Sequence, residues 1–475
     1  MESKGNTKTM AIIAILGVIV AGAFAPVFMY TQNADRANFS EILLPLLIFC
    51  GLGFIIALPL FLLSKSWSKS SISAIICVFV LVNYNFITTL VAGIPNLRYW
   101  HIAPTVIVIL LHIIYFICKK MSTNTAYNVN KIITLAFSAL ILFNVVIAIP
   151  DITTKISYER ESARLKEEQR KVAAQNSGTH HPNIYYLVFD EYASFNQIKE
   201  DYGYDNSAFA QYLESLGFNV SYSSRNEIHS TEVVMTNIMN LEYIVSPQDS
   251  SSQMQLHRHT NKLFSILRGN NYTITGFGDS SFYGLNSSVD FTSSKTLDGQ
   301  TITDLLLSNT IISPFKARNQ SNDIKQMLLE MEQLKSGEFP KYNSFILSHF
   351  LQPHVPYAFD ENGNELLGVN RFDTKNKKYY LGNYVYTTKL ILTIVEKITK
   401  NDPASIIILT SDHGARGGDA RFSMNNMCQI LNAVYYRGEI LDIEGFSGIN
   451  TLRTVLNELF SLDFEMLDLP KDYRD

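Results

Sequence analysis

Charge is what this sequence has little of. Only 17% of its 475 residues are Asp, Glu, Lys or Arg, against about 25% in an ordinary soluble domain. The net charge of −4 contains no basic excess, which removes nucleic acid from the expected partners. Cysteine is scarce as well. Of the four, Cys50, Cys77 and Cys118 lie in apolar runs, and only Cys428 lies beyond them. A lone cysteine cannot staple the C-terminal part to itself, so that part must fold on its own core. No internal repeat is present.

The missing charge is concentrated in the first third. Five apolar runs occupy residues 9–31, 41–64, 71–93, 99–118 and 131–149, each near the ~20 residues a helix needs to cross a bilayer. Lys4, Lys8, Lys65, Lys69, Lys119, Lys120 and Lys131 fall on alternate connections, whereas the opposite ones carry Arg36 and Arg98. The positive-inside rule puts the lysine-rich side in the cytoplasm. Five spans then place everything after residue 150 outside it, in a multi-pass protein of the plasma (inner) membrane. Trp67, Tyr99 and Trp100 stand near span ends, where amphipathic rings favour the interface. A signal peptide ending at Ala23-Phe24-Ala25 is the rival reading of the first run. It leaves the remainder on the same side.

The expected organisation is a transmembrane domain at 1–150, a linker at 151–181 and an exported domain at 182–475. The linker holds Glu159, Arg160, Glu161, Arg164, Lys166, Glu167, Glu168, Arg170 and Lys171, a charged and helical pattern. Gln175 to Thr179 reads as a flexible joint. From Pro182 strands alternate with helices. Strands are expected at 183–189, 272–277, 343–349 and 405–410, and helices at 205–217, 260–268, 322–335, 379–400 and 450–460. Such alternation predicts an α/β domain with a mostly parallel sheet flanked by helices. About 290 residues are ample for its core.

The most informative stretch is Thr410-Ser411-Asp412-His413-Gly414, which follows the apolar run Ser405 to Leu409. Ligands of open α/β folds sit at the carboxyl ends of such strands, and a carboxylate beside an imidazole offers two ligands to a divalent metal. Asp190 and Glu191 end the first strand of this domain in the same way. Adjacent side chains diverge on a strand, so Asp190 is expected to face the metal with Glu191 behind it. The segment from His229 to Asn240 reads as a helix starting at Ser230 or Thr231. A hydroxyl there meets free N–H groups and the positive end of the helix dipole, a setting that suits a phosphoryl group. It is also what an ordinary N-cap looks like. His349 and His354 follow or end the strand at 343–349, and Pro353 and Pro356 fix the loop around His354. A rigid loop histidine can donate to a phosphoryl oxygen or protonate a leaving group.

Together these residues resemble the alkaline phosphatase and sulfatase superfamily. Within it, the spans followed by an exported domain are similar to the membrane-anchored branch of lipoteichoic acid synthases and lipid A phosphoethanolamine transferases. The resemblance implies an alkaline-phosphatase-like fold and a metal held by Asp190, Thr231, Asp412 and His413. Thr231 would be the nucleophile, with Ser230 the alternative, and His354 would contact the phosphoryl group. One or two divalent ions are implied, and carboxylate, imidazole and hydroxyl ligation suits Zn or Mn.

The sequence also departs from that pattern. No Cys-x-Pro-x-Arg type context surrounds Thr231, which argues against sulfate-ester hydrolysis. The ectodomain disulfides of the phosphoethanolamine transferases have no counterpart. Ala415-Arg416-Gly417-Gly418 replaces their later histidine, which leaves Arg416 or Arg421 either as an anion contact or, the favoured reading, as a solvent-facing arginine. The function expected is transfer of a phospho-alcohol group, phosphoglycerol or phosphoethanolamine, from a membrane phospholipid to an envelope glycan or lipid through a phosphothreonine. The alternatives are a membrane-anchored phosphodiesterase or phosphatase, and a non-catalytic envelope-binding protein.

Overall fold

The computed structural model describes residues 2–35, 37–90, 99–175, 180–278, 288–292, 301–311, 343–366, 369, 371, 373–417 and 423–470. The chain separates into two compact units. One is Met1–Thr154 with Gln300–Arg318; the other is Lys155–Gly299 with Asn319–Asp475.

The first unit is helical: α1 (Glu2–Thr31), α2 (Leu43–Ser64), α3 (Trp67–Val82), α4 (Tyr84–Leu90), α5 (Tyr99–Lys119) and the start of α6 (Thr123–Gln175). Among the described residues, four helical stretches are long and apolar enough to cross a membrane: Thr7–Thr31, Phe39–Ser64, Ile102–Lys119 and Thr123–Gln169. The third expected span differs. Its helix is the shorter Trp67–Val82, followed after Asn83 by α4. That helix is the polar centre of the unit. The Ser71 hydroxyl donates to the Ala14 carbonyl at 2.8 Å and lies 3.1 Å from Asn130 Oδ1, while Asn130 Nδ2 donates to the Ser68 carbonyl at 2.7 Å. Such bonds hold helices together where apolar burial gives no preference for protein over lipid. A later helix, α12 (Ile302–Ser308), packs on α1 and α2.

The expected linker is helical, as α6 runs unbroken through Pro150 to Gln175. Residues 176–179 of the expected joint, and the expected helix at 322–335, lie outside the described residues.

The second unit is built on one sheet. Its strands are β1 (Ile184–Phe189), β2 (Asn219–Ser221), β3 (Thr273–Gly278), β4 (Phe291–Thr292), β5 (Ser344–Phe350), β6 (Ile406–Thr410) and β7 (Asn432–Tyr436). Their order is β2-β7-β6-β1-β5-β3-β4. All pairings from β6 to β4 are parallel, and β7 adds an antiparallel edge with β2. Strand alternation splits the core in two. Ile184, Tyr186, Val188, Ile406 and Ile408 face one layer. Leu187, Phe189, Ile407 and Leu409 face the other. Apolar residues on both faces are what a sheet covered on both sides requires.

The first layer includes α9 (Thr231–Asn240), α11 (Lys262–Gly269) and α15 (Gly448–Phe460). The second includes α7 (Phe195–Tyr202), α8 (Ser207–Ser215) and α13 (Lys377–Asn401). Also present are α10 (Ser251–His259) and the single turn α14 (Met424–Met427).

Candidate metal centre at the strand ends

The three central strands, β6, β1 and β5, run in parallel and end side by side. Val188 pairs with both His349 of β5 and Thr410 of β6. Residues just past that line therefore converge from three directions. Asp190 leaves β1, His349 stands one residue before the end of β5, and Asp412 and His413 leave β6.

Asp190, His349 and Asp412 each offer a ligand atom, and those atoms all lie within 4.8 Å of one another. An ion holding each donor at about 2.1 Å keeps any two within about 4.2 Å, so the cluster needs little closing. His413 Nε2 lies 3.8 Å from Asp190 Oδ1 and 3.4 Å from Asp412 Oδ2. His349 Nε2 lies 4.0 Å from Asp190 Oδ2. The His413 ring is oriented by its other nitrogen, Nδ1, which is 2.8 Å from the Gly414 carbonyl. Donation there leaves Nε2 as the lone pair facing the carboxylates.

Thr231 completes the group. It opens α9, with Ser230 as an N-cap whose side chain makes no capping bond. The Thr231 hydroxyl lies 3.4 Å from His413 Nε2. Of the two hydroxyls the sequence left open, Thr231 is the one at the cluster.

All five residues of this group are buried, and burial sets the electrostatics. It pushes the His349 imidazole down to about 4, with His354 and His413 acting the same way and Asp412 opposing. For Asp412 burial works to raise the carboxyl. The charges of His413 and His349, with hydrogen bonds from Thr231 and the Glu191 N–H, outweigh it and hold the group below the usual carboxylate range. Carboxylates and imidazoles are donor types that hold a divalent cation, an imidazole binding it in its neutral form. The donor set therefore fits a divalent cation.

Neutral groups fix the backbone around these ligands. Asn226 Nδ2 donates to the Asp412 carbonyl at 2.8 Å, and Asn226 Oδ1 accepts the Gly448 N–H at 2.9 Å. Gln197 grips Ala415 from both sides, donating to its carbonyl at 2.7 Å and accepting its N–H at 2.8 Å. Gly414 is required by this clamp, since a Cβ there would collide with Gln197 Oε1 and approach the Gln429 carbonyl to 2.7 Å.

The remaining sequence candidates stand apart from the cluster. His354 Nε2 is 3.8 Å from Glu191 Oε2, and Glu191 also accepts the Arg416 N–H at 2.6 Å. Burial lowers the His354 pKa, against the pull of Glu191. Arg421 lies outside the described residues. The residue the sequence reading did not place in the ligand set is His349. The available signal was its position, a Ser-His pair inside an otherwise apolar strand.

Residues 224–442 match the sulfatase family. The matched stretch contains Thr231, His349, His354, Asp412 and His413, while Asp190, just past β1, precedes it. No curated protein matches the sequence. Among solved structures, the C-terminal periplasmic domain of EptC from Escherichia coli is similar at 12% identity, with a TM-score of 0.41 over 63% of this chain and 85% of that one. The lipoteichoic acid synthase LtaP from Listeria monocytogenes is similar at 13% identity, with a TM-score of 0.37 over 62% of this chain and 75% of that one. The integral membrane lipooligosaccharide phosphoethanolamine transferase A from Neisseria meningitidis is similar at 11% identity, with a TM-score of 0.37 over 94% of this chain and 95% of that one.

Proposed function

We propose that this sulfatase-like domain, with its apolar helices, is a membrane-anchored phosphotransferase on the extracytoplasmic side of the plasma membrane. It moves a phospho-alcohol group, phosphoglycerol or phosphoethanolamine, from a phospholipid to a hydroxyl of an envelope glycan or lipid. The proposed organisation is a transmembrane domain at 1–150, a helical linker at 151–181 and a catalytic domain at 182–475. The observation that carries the reading is the Thr231 hydroxyl, at the first turn of α9 and 3.4 Å from His413 Nε2, beside two buried carboxylates.

Asp190, His349, Asp412, His413 and Thr231 would hold one or two divalent cations, Zn or Mn. A cation bound there supplies Lewis acidity and lowers the pKa of the hydroxyl. Thr231 Oγ1 releases its proton to solvent and forms a bond to phosphorus as the bond from phosphorus to the diacylglycerol oxygen breaks, and that oxygen takes up a proton. His354 stabilises or protonates it. The N-terminus of α9 favours the phosphoryl charge. In the second half an acceptor hydroxyl attacks phosphorus, the bond to Thr231 breaks and the threonine regains its proton.

The test is mass spectrometry of the full chain after incubation with phospholipid vesicles and Zn²⁺ or Mn²⁺. A headgroup-sized phosphoryl adduct on Thr231 is the expected result. An adduct on Ser230 would move the nucleophile. No adduct, with free headgroup released, would favour the phosphodiesterase reading. No chemistry at all, with cells expressing Thr231→Ala and Asp412→Asn behaving as wild type, would leave the non-catalytic reading.

A further inference from the structure

Glu191 has a backbone that few residues with a side chain adopt, with φ at 61°. Such a conformation persists only where its surroundings determine it, and it clusters at functional sites. Here three bonds do so. The Glu191 N–H donates to Asp412 Oδ1 at 3.2 Å. Its carbonyl accepts the Tyr380 hydroxyl at 2.7 Å, which in turn accepts the Ala193 N–H at 3.1 Å. The third bond is the Arg416 N–H to Glu191 Oε1.

The consequence is a carboxylate aimed at two cationic or donor groups. Arg416 Nε stands 3.6 Å from Glu191 Oε1, with side-chain exposures of 38% and 6%. His354 Nε2 stands 3.8 Å from Glu191 Oε2, with the His354 side chain 22% exposed. The carboxylate is therefore sealed and the guanidinium is its more exposed partner, while His354 is engaged on both sides, its Nδ1 lying 2.5 Å from the Val355 carbonyl. A guanidinium has five N–H donors and no acceptor, so Glu191 cannot occupy all of them. Arg416 also acts electrostatically on both His354 and His229. A partly exposed guanidinium fixed by one buried carboxylate, with N–H groups left over, offers an anion a charge-assisted contact.

We propose that Arg416, held by Glu191 beside His354, is a substrate-binding residue that takes a non-bridging oxygen of the lipid phosphodiester. This rests on the phosphotransferase reading and adds to it a specificity residue outside the metal cluster. A salt bridge with no further role would leave the guanidinium at Glu191 whether substrate is present or not. A phosphate contact makes substrate affinity depend on it.

The experiment compares full-length wild type with Arg416→Ala, Arg416→Lys and Glu191→Gln. Turnover is measured on phosphatidylglycerol and on phosphatidylethanolamine vesicles with Zn²⁺ or Mn²⁺, and inorganic phosphate binding is measured by calorimetry without lipid. Arg416→Ala is expected to raise KM and the phosphate dissociation constant roughly tenfold to hundredfold, the weight of a charge-assisted bond. Its kcat should stay within about threefold, the pattern of an interaction made equally with substrate and transition state. Arg416→Lys should recover part of the loss, because it keeps the charge without the fork. Glu191→Gln should weaken phosphate binding less than Arg416→Ala does. Wild-type KM and phosphate affinity in Arg416→Ala would overturn the proposal, and so would a fall in kcat at constant KM. If wild type turns over no lipid, the phosphotransferase reading fails, and the phosphate titration still decides on Arg416. Where Arg416→Ala does not fold, Arg416→Lys carries the comparison, and wild-type affinity and KM in that variant would overturn the proposal.

Discussion

Asp190 Oδ1 and His413 Nε2 lie 3.8 Å apart, although one residue follows the first strand of the sheet and the other follows the sixth. Register brings them together. Strands β1 and β6 pair in parallel from Ile184 with Ile406 to Val188 with Thr410, so both chains leave the sheet at the same level. Thr231 reaches the same point from the opposite direction, by starting a helix there.

If Thr231 is the nucleophile, Thr231→Ala should abolish adduct formation and Thr231→Ser should keep a measurable fraction. Mass spectrometry of the labelled peptide separates the two. A Thr231→Ala protein that still carries the adduct would exclude this residue.

His349 contributes a neutral imidazole to the buried donor set. His349→Ala should weaken Zn²⁺ or Mn²⁺ binding by calorimetry about tenfold or more. Dialysis against a chelator should lower the thermal midpoint of wild type, since a cation bound only to the folded state stabilises it. The midpoint of His349→Ala should fall less. An unchanged metal affinity would remove His349 from the ligands.

Gly414 and Gln197 form one steric unit. Gly414→Ala should cost about 2 kcal/mol or more of stability, because the added methyl must displace either a buried amide or backbone. Gln197→Ala removes two bonds to Ala415 and should cost about 1–3 kcal/mol. Denaturant unfolding checks both. In the double variant the two costs should fall short of adding, since alanine at 197 removes the nearest obstacle and leaves the Gln429 and Asn426 carbonyls.

His259 gives a pH dependence remote from the candidate metal centre. Its ring stacks on Tyr158 at 4.3 Å, and its Nδ1 lies 2.7 Å from the Ser288 hydroxyl. Burial, followed by the charges of Arg258 and Lys155, pushes it down to about 3 from 6.5. In that window the unfolded chain binds a proton that the folded chain does not. Its contribution to stability is therefore complete above about pH 6.5 and is lost as pH falls toward 3. Replacing His259 by Gln should flatten the slope of unfolding free energy against pH across that range. An unchanged slope would show that the ring titrates normally.

The parts of the fold legible from sequence are those with strong local signals. The β-branched runs of β1 and β6 and the hydroxyl start of α9 are local, and so is the Asp-His-Gly turn. Strand β7 was not foreseen, because Asn432-Ala433-Val434-Tyr435-Tyr436 is short and pairs antiparallel at the sheet's edge. Helix α7 was missed for a similar reason: its eight residues are stabilised by packing Phe195 and Ile198 into the core, which is a tertiary effect. The apolar run of the third expected span gave no warning of the break at Asn83. His349 stood in view, but its place among the ligands depends on which strand lies beside β1. That is a property of topology, which spacing along the chain does not reveal.

The order of strands has a consequence for how the molecule is made. Strand β1, the earliest of the sheet to be synthesised, occupies its middle, and both of its neighbours come much later in the chain. Until the segment through Phe350 has emerged, Tyr186, Leu187, Val188 and Phe189 have nothing to pair with, and their other flank waits for Thr410. Sheets dominated by such distant pairings fold slowly and leave sticky intermediates. A ribosome-bound or partly translocated fragment ending before β5 would therefore present an uncovered apolar strand, and it would need shielding until the rest of the polypeptide arrived.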